Sequence, residues 1–241
     1  MKAPVNEQLS LLDVQGFDIQ IATLNNRAAA LPEIAEISSV TNKHNNARDL
    51  RIAAETELND VKRELSRAEG DVEQIVTRIE RNEKRLASGT GTPKELEQTQ
   101  HELETLGLRR KELEEVELEI MMRVDVIKER ITGHKAEEEE FTAQINDLNI
   151  RKENTLSAIH TELEKVTAER AATLPSISAE LVTLYEKIRA DGGIAAAVLA
   201  GNQCKGCNLP LNASDVQRIN ALPDDEVARC EECRCILVRS K

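Results

Sequence analysis

The chain has 241 residues, with 32 Lys+Arg against 44 Asp+Glu and a formal net charge of −12. Its only rings besides histidine are Phe17, Phe141 and Tyr185, yet 40 % of its residues are hydrophobic. So ring-poor a chain is not an ordinary single-core enzyme, and it is too apolar for a disordered acidic segment. Its Glu, Ala, Leu and Arg are the residues of long helices.

Residues 194–241 hold six basic and six acidic side chains, so the whole net charge lies in residues 1–193. That acidity opposes broad nucleic-acid coverage, which needs Lys and Arg to displace counterions from phosphates. No run of about 18 apolar residues is present, so no helical segment is expected to span a bilayer. Met1 to Leu12 lacks the apolar centre of a secretory signal, and a cytoplasmic location is expected.

Heptads begin at Val14, Phe17, Ile21, Leu24, Ala28 and Leu31. Pro32 interrupts them, since it lacks an N–H and clashes with the preceding turn. From Ala54 the stripe runs through Leu58, Val61, Leu65, Ala68, Val72, Ile75 and Ile79, then Asn82 and Leu86. Alternating steps of four and three on an otherwise charged helix are the coiled-coil pattern. Residues 88–93 end it at Gly89 and Gly91. Thr92 then stands as an N-cap, Pro93 as the first helical residue and Glu95 as the reciprocal acid of a capping box. The heptads resume at Leu96, Leu103, Leu106, Leu113, Val116, Ile120, Val124, Ile127 and Ile131. After a run of acids at Glu137–Glu140, read as a solvated face, they continue from Phe141 to Val166. Pro175 marks a second break, and Gly192-Gly193 end the helical part.

A turn this short makes the arms antiparallel. It sets Leu58 opposite Val124 and Ala54 opposite Ile127, along an arm that would extend roughly 80 Å at ~1.5 Å per residue. The helix before Pro32 should pack along residues 152–177. The expected architecture is mostly α. It has a long antiparallel coiled-coil hairpin over residues 1–193, with its tip at 88–93 and breaks near Pro32 and Pro175, and a small α+β zinc ribbon over 194–241. Since the hairpin satisfies its own seam, a monomer is expected. The four dispersed histidines have no second ligand at helical spacing, and no phosphate loop, Ser/His/Asp grouping or open metal position is recognisable. A non-enzymatic protein is expected.

The last part reads Cys204-Lys-Gly-Cys207, then 22 residues, then Cys230-Glu-Glu-Cys233. Each C-x-x-C aims two thiolates at one point, and two of them complete a closed tetrahedral site for one structural Zn2+. A redox pair would call for one motif at a helix start after a strand, not two matched motifs. So small a module depends on its metal for folding energy. Ser214-x-x-Gln217 predicts the start of a short helix. Residues 196–199, 226–229 and 235–238 predict strands, the last of them containing the fifth cysteine, Cys235.

With both parts placed, the sequence resembles the bacterial C4-type zinc-ribbon, coiled-coil hairpin family, long catalogued as a domain of unknown function. The resemblance covers nearly the whole chain. It rests on residues 11–18 (Leu-Leu-Asp-Val-Gln-Gly-Phe-Asp), Leu31-Pro32-Glu33, the Thr92-Pro93-Lys94-Glu95-Leu96 stretch through His101-Glu102, and above all the two cysteine motifs with Leu209-Pro210 and Ile236-Leu237-Val238 after them. Arg234-Cys235 departs from the Gly-Arg usual there. The resemblance implies metal ligation by Cys204, Cys207, Cys230 and Cys233 and a non-enzymatic adaptor that binds RNA or DNA. Some members of the family are associated with RNA, or with an alternative sigma factor and motility or secretion proteins.

On this reading Lys205, Arg218, Arg229, Arg234, Arg239 and Lys241 are the candidate phosphate contacts. The alternative is a protein–protein adaptor or chaperone, for transcription or secretion and motility proteins, without nucleic-acid contact. A factor that enters the polymerase secondary channel would carry acids at the tip, where this chain has Ser-Gly-Thr-Gly-Thr-Pro. A zinc hook would carry its cysteines at the apex, and here they follow the return arm.

Overall fold

The computed structural model describes residues 1–239. Its helices are α1 (Val5–Ala29), α2 (Pro32–Ala87), α3 (Pro93–Thr173), α4 (Ala179–Ala190) and α5 (Ala213–Ala221), with one 3-10 turn at Leu174–Ser176. Four short strands follow α4 or flank α5: β1 (Ala196–Ala200), β2 (Gln203–Cys204), β3 (Ala228–Arg229) and β4 (Ile236–Arg239). Pro32 and Pro93 each occupy the first position of a helix, where the missing N–H would have had no intrahelical partner. None of the helices in the described residues is long and apolar enough to cross a membrane. The chain divides into two compact units, residues 35–149 and the remainder.

The first unit, residues 35–149, is a hairpin formed by α2 and α3. Its seam buries Ala54, Val61, Val124 and Ile127, with Leu58, Leu65, Ile120 and Ile131 packed against them. The arms therefore meet in the register the heptads predict. Ion pairs bind the flanks: Arg130 donates to Glu57 and Arg123 to Glu64, each at 2.9 Å, and Arg78 pairs with Glu102 nearer the tip. At the tip the Thr92 N–H donates to Glu95 Oε2 at 2.7 Å, and the Glu95 N–H donates to Thr92 Oγ1 at 3.4 Å. That is the predicted capping box. Gly89 and Gly91 have φ of +62° and +144°, values that an L side chain would strain.

Two seam assignments differ from the heptad reading. Val116 is exposed, and half-buried Glu117 fills the slot instead. The four-three alternation counted from Leu113 to Ile120 reaches 117, not 116, and helix phase overrides hydrophobicity there. The Glu137–Glu140 run is also not uniformly solvated. Glu138 turns into the seam, where its side chain is 16 % exposed and accepts from Arg51.

In the second unit α1 lies along α3. Leu24, Leu31, Ile159 and Val166 are buried between them, with Phe17, Ile21, Ala28, Leu156 and Leu163 at the margin. The described C-terminal strands form one sheet in the order β2-β1-β4-β3, with β1 parallel to β4 and the outer pairs antiparallel. Leu11 and Val14 of α1, Leu181, Tyr185 and Ile188 of α4, and Ala196 and Ile236 of the sheet share one core.

Polar bonds stitch α1 to the sheet. Gln15 Oε1 accepts from the N–H of Ala195 at 2.6 Å and of Ala196 at 3.1 Å. Gln8 donates to the carbonyls of Ala3 and Asp224. Ahead of α1, the Val227 N–H donates to the Met1 carbonyl and the Ala3 N–H to that of Asp225. α5 begins two residues earlier than the Ser-x-x-Gln reading. Asn212 is its cap, its Oδ1 accepting from the Asp215 N–H at 3.0 Å, while the Ser214 hydroxyl donates to that same oxygen.

Candidate metal centre

The two C-x-x-C segments are backbone copies of each other. In the first, the Cys204 N–H donates to the Leu209 carbonyl at 3.1 Å. In the second, the Cys230 N–H donates to the Cys235 carbonyl at 3.0 Å. The residue after the second cysteine of each, Asn208 or Arg234, has a left-handed φ of +57° or +63°. Such a φ suits Gly best and is tolerated by Asn, so Arg234 carries strain that the fold around it maintains.

Each turn aims N–H groups at its leading sulfur. Cys204 Sγ accepts from Gly206 and Cys207, and Cys230 Sγ from Glu232 and Cys233. Sheet pairing then brings the turns together, because β1 bonds both β2, which ends at Cys204, and β4, which follows the second turn.

The sulfurs of Cys204, Cys207, Cys230 and Cys233 all lie within 4.8 Å of one another. The pairs Cys204–Cys233 and Cys207–Cys230, each across the two turns, are 3.9 Å apart. Zn–S bonds of about 2.3 Å at tetrahedral angles place sulfurs ~3.8 Å apart. Four convergent sulfurs with N–H donors behind them therefore fit a metal ion. Burial acts against the Cys204 thiolate, but the N–H bonds from Cys207 and Gly206 outweigh it and bring its pKa down to about 7. Burial dominates at Cys230 and pushes its thiol up to about 12.

Cys235 is buried and stands immediately before β4, with its Sγ 3.5 Å from that of Cys204. Burial pushes its thiol pKa upward, so it packs beside the site as a neutral group. Gly206 closes over both: a Cβ added there would lie 3.1 Å from Cys235 Sγ, 3.3 Å from Ala197 Cβ and 3.4 Å from Cys204 Sγ.

The candidate phosphate contacts separate into groups. The Arg239 guanidinium turns inward and donates to the carbonyls of Ile219, Leu222, Pro223 and Glu226, which ties α5 and the loop after it to β4. Arg218 pairs with Glu231 at 2.6 Å and with Asp215. Lys205 donates to Gln203 Oε1 at 2.6 Å, on the surface. Arg229 and Arg234 line one cleft of about 880 Å3 at the second cysteine turn. Lys241 lies outside the described residues. The cleft also takes in Lys187 of α4, with Asp191 and Glu231 as its acids. Lys187 was not among the sequence candidates, because only the packing of α4 against the sheet brings it there.

The CT398-like coiled coil hairpin domain matches residues 14–193. The chain belongs to this family. A Mycobacterium tuberculosis relative, Rv2229c, is 32 % identical over 99 % of this chain and 98 % of its own length. A solved Mycobacterium smegmatis structure superposes with a TM-score of 0.87 at 29 % identity, covering all of both chains. CT398 from Chlamydia trachomatis gives 0.67 at 17 % identity over 98 % of each chain, a likeness of fold. Within the CT398-like hairpin family, this chain pairs the helical arms with a four-cysteine sheet module.

Proposed function

We propose that this chain is a non-enzymatic adaptor whose C-terminal module, held by one structural Zn2+ on Cys204, Cys207, Cys230 and Cys233, contacts nucleic-acid phosphates. The observation that carries the reading is the cleft at the second cysteine turn, which Lys187, Arg229 and Arg234 line, with Arg229 Nε donating to the Arg234 carbonyl at 3.0 Å. The ion would be structural, because four thiolates close its coordination shell and leave no position for water or substrate. It would fix the turn that carries Arg234, and so the cleft. Three basic groups facing two acids give modest, sequence-tolerant binding that falls with salt. With no aromatic residue lining the cleft, base stacking adds nothing.

The test is binding of a fluorescent single-stranded RNA and a duplex DNA to the full chain over a range of salt. Three phosphate contacts predict a log–log salt slope of about −2 on single strands, and the K187Q/R229Q/R234Q variant should flatten it. Absence of salt-sensitive binding to either probe near physiological salt overturns the reading. It would favour the protein–protein adaptor, which the exposed apolar side chains of α3 support.

A further inference from the structure

Helix α3 carries a second apolar stripe that its own hairpin does not use. Leu118, Met122 and Val126 are 59 %, 69 % and 57 % exposed. Spaced four apart, they fall on one line of the helix. At 100° per residue that line faces away from Leu113, Ile120, Val124 and Ile127 of the seam. Met121, at its edge, is 45 % exposed. Leu and Met in a row on a solvated helix leave most of their surface outside the hairpin, although isolated exposed apolar residues would be unremarkable.

The charge flanking Leu118, Met122 and Val126 is mainly acidic. Glu115, Glu119, Asp125 and Glu129 lie within about 60° of the stripe's centre line. Arg123 is engaged on Glu64 and Arg130 on Glu57, Lys128 answers the rim acid Asp125, and exposed Lys111 continues the same line one turn before Glu115. Glu115, Glu119 and Glu129 make no ion pair among the described residues. A second copy laid antiparallel on the stripe would set acids against acids, so the charge pattern disfavours self-pairing.

We propose that the Leu118–Met122–Val126 face of α3 docks a basic amphipathic helix of another protein. An apolar ridge with flexible Met side chains and an acidic rim complements a helix that presents Leu-type anchors flanked by Lys or Arg. From Glu115 to Glu129 the face is about 21 Å long at 1.5 Å per residue, enough for four turns of a partner. The inference is independent of the ribbon's nucleic-acid contact, and together the two give the adaptor two separate handles.

The chain has three methionines, Met1, Met121 and Met122. Labelled with 13C at the methionine methyls, the full chain reports the stripe directly, with Met1 as an internal reference. The probe is a Leu/Lys peptide of about 18 residues with Leu at helical spacing, compared with a scrambled peptide of equal charge. The proposal predicts that the Met121 and Met122 signals shift with the amphipathic peptide alone. It also predicts that L118S/M122S/V126S, exposed positions that leave the seam intact, weakens binding at least about tenfold. No shift overturns it. Equal shifts with the scrambled peptide overturn it in favour of plain charge attraction. Concentration-dependent shifts without peptide, accompanied by dimer in sedimentation, overturn it in favour of a second copy.

Discussion

Arg51 of α2 donates from Nε to Glu138 Oε1 of α3 at 2.6 Å, from a seam position that the heptads elsewhere fill with aliphatic residues. The Arg51 side chain is 25 % exposed, and its Nη1 also reaches Glu55 at 2.7 Å. A polar pair inside a seam adds little net stability, because desolvation offsets the attraction, but it specifies which residues meet.

Single truncations and a paired replacement should therefore diverge. R51A leaves half-buried Glu138 without its partner, E138A leaves Arg51 with Glu55 alone, and both should lower the hairpin's melting temperature. R51L/E138L should restore it or raise it while loosening register and favouring association between chains. Thermal unfolding by circular dichroism, with sedimentation for association, checks both outcomes.

The tip should respond to acid. Glu95 is held below the usual carboxylate range by bonds from the Thr92 N–H and then the Thr92 hydroxyl. A carboxylate depressed by folding contributes stability that is present above its unfolded value and is lost as pH falls through the folded one. The protection factor of the Thr92 amide, its exchange corrected for the intrinsic pH dependence, should fall as the pH drops below about 4.5, and E95A should show the low protection already at neutral pH.

Asp18 anchors the second unit. It accepts from the Tyr185 hydroxyl at 2.7 Å, Arg170 Nε at 2.8 Å and Arg189 at 2.9 Å, with its side chain only 4 % exposed. D18A leaves two guanidinium groups without this acceptor and should cost about 3 kcal/mol. Y185F should cost about 1.5 kcal/mol. Tyr185 is the only tyrosine and there is no tryptophan, so its fluorescence follows D18A unfolding in this unit alone. Circular dichroism serves for Y185F.

A side chain at Gly206 should disturb the sulfur cluster. G206A brings a Cβ to 3.1 Å from Cys235 Sγ and 3.4 Å from Cys204 Sγ, so these sulfurs must yield by a few tenths of an ångström, away from the geometry that converges on the site. Faster metal loss to a chelator than in the parent protein is the expected result. C235A, which removes the obstructing sulfur, should partly relieve it in the double variant.

The sequence is most informative where one physical rule acts alone. Ala54 against Ile127 follows from heptads and a short turn, and the Cys204–Cys233 grouping from ligand spacing. Where rules compete, tertiary context decides. Glu138 reads as surface because three acids accompany it, yet helix phase carries it into the seam. Val116 is apolar but falls one residue off that phase. Arg239 has the chemistry of a phosphate contact, and only the fold reveals four carbonyls around it. Lys187 joins the cleft through α4 packing, which no local pattern encodes.

Metal content of the full chain, purified without added metal, tests the four-sulfur site most directly. The account predicts about one zinc per chain, lost in C204S/C230S together with the sheet module's protection from proteolysis. A metal-free chain whose C-terminal module is folded and protease-resistant, or unchanged zinc in that double variant, would contradict it.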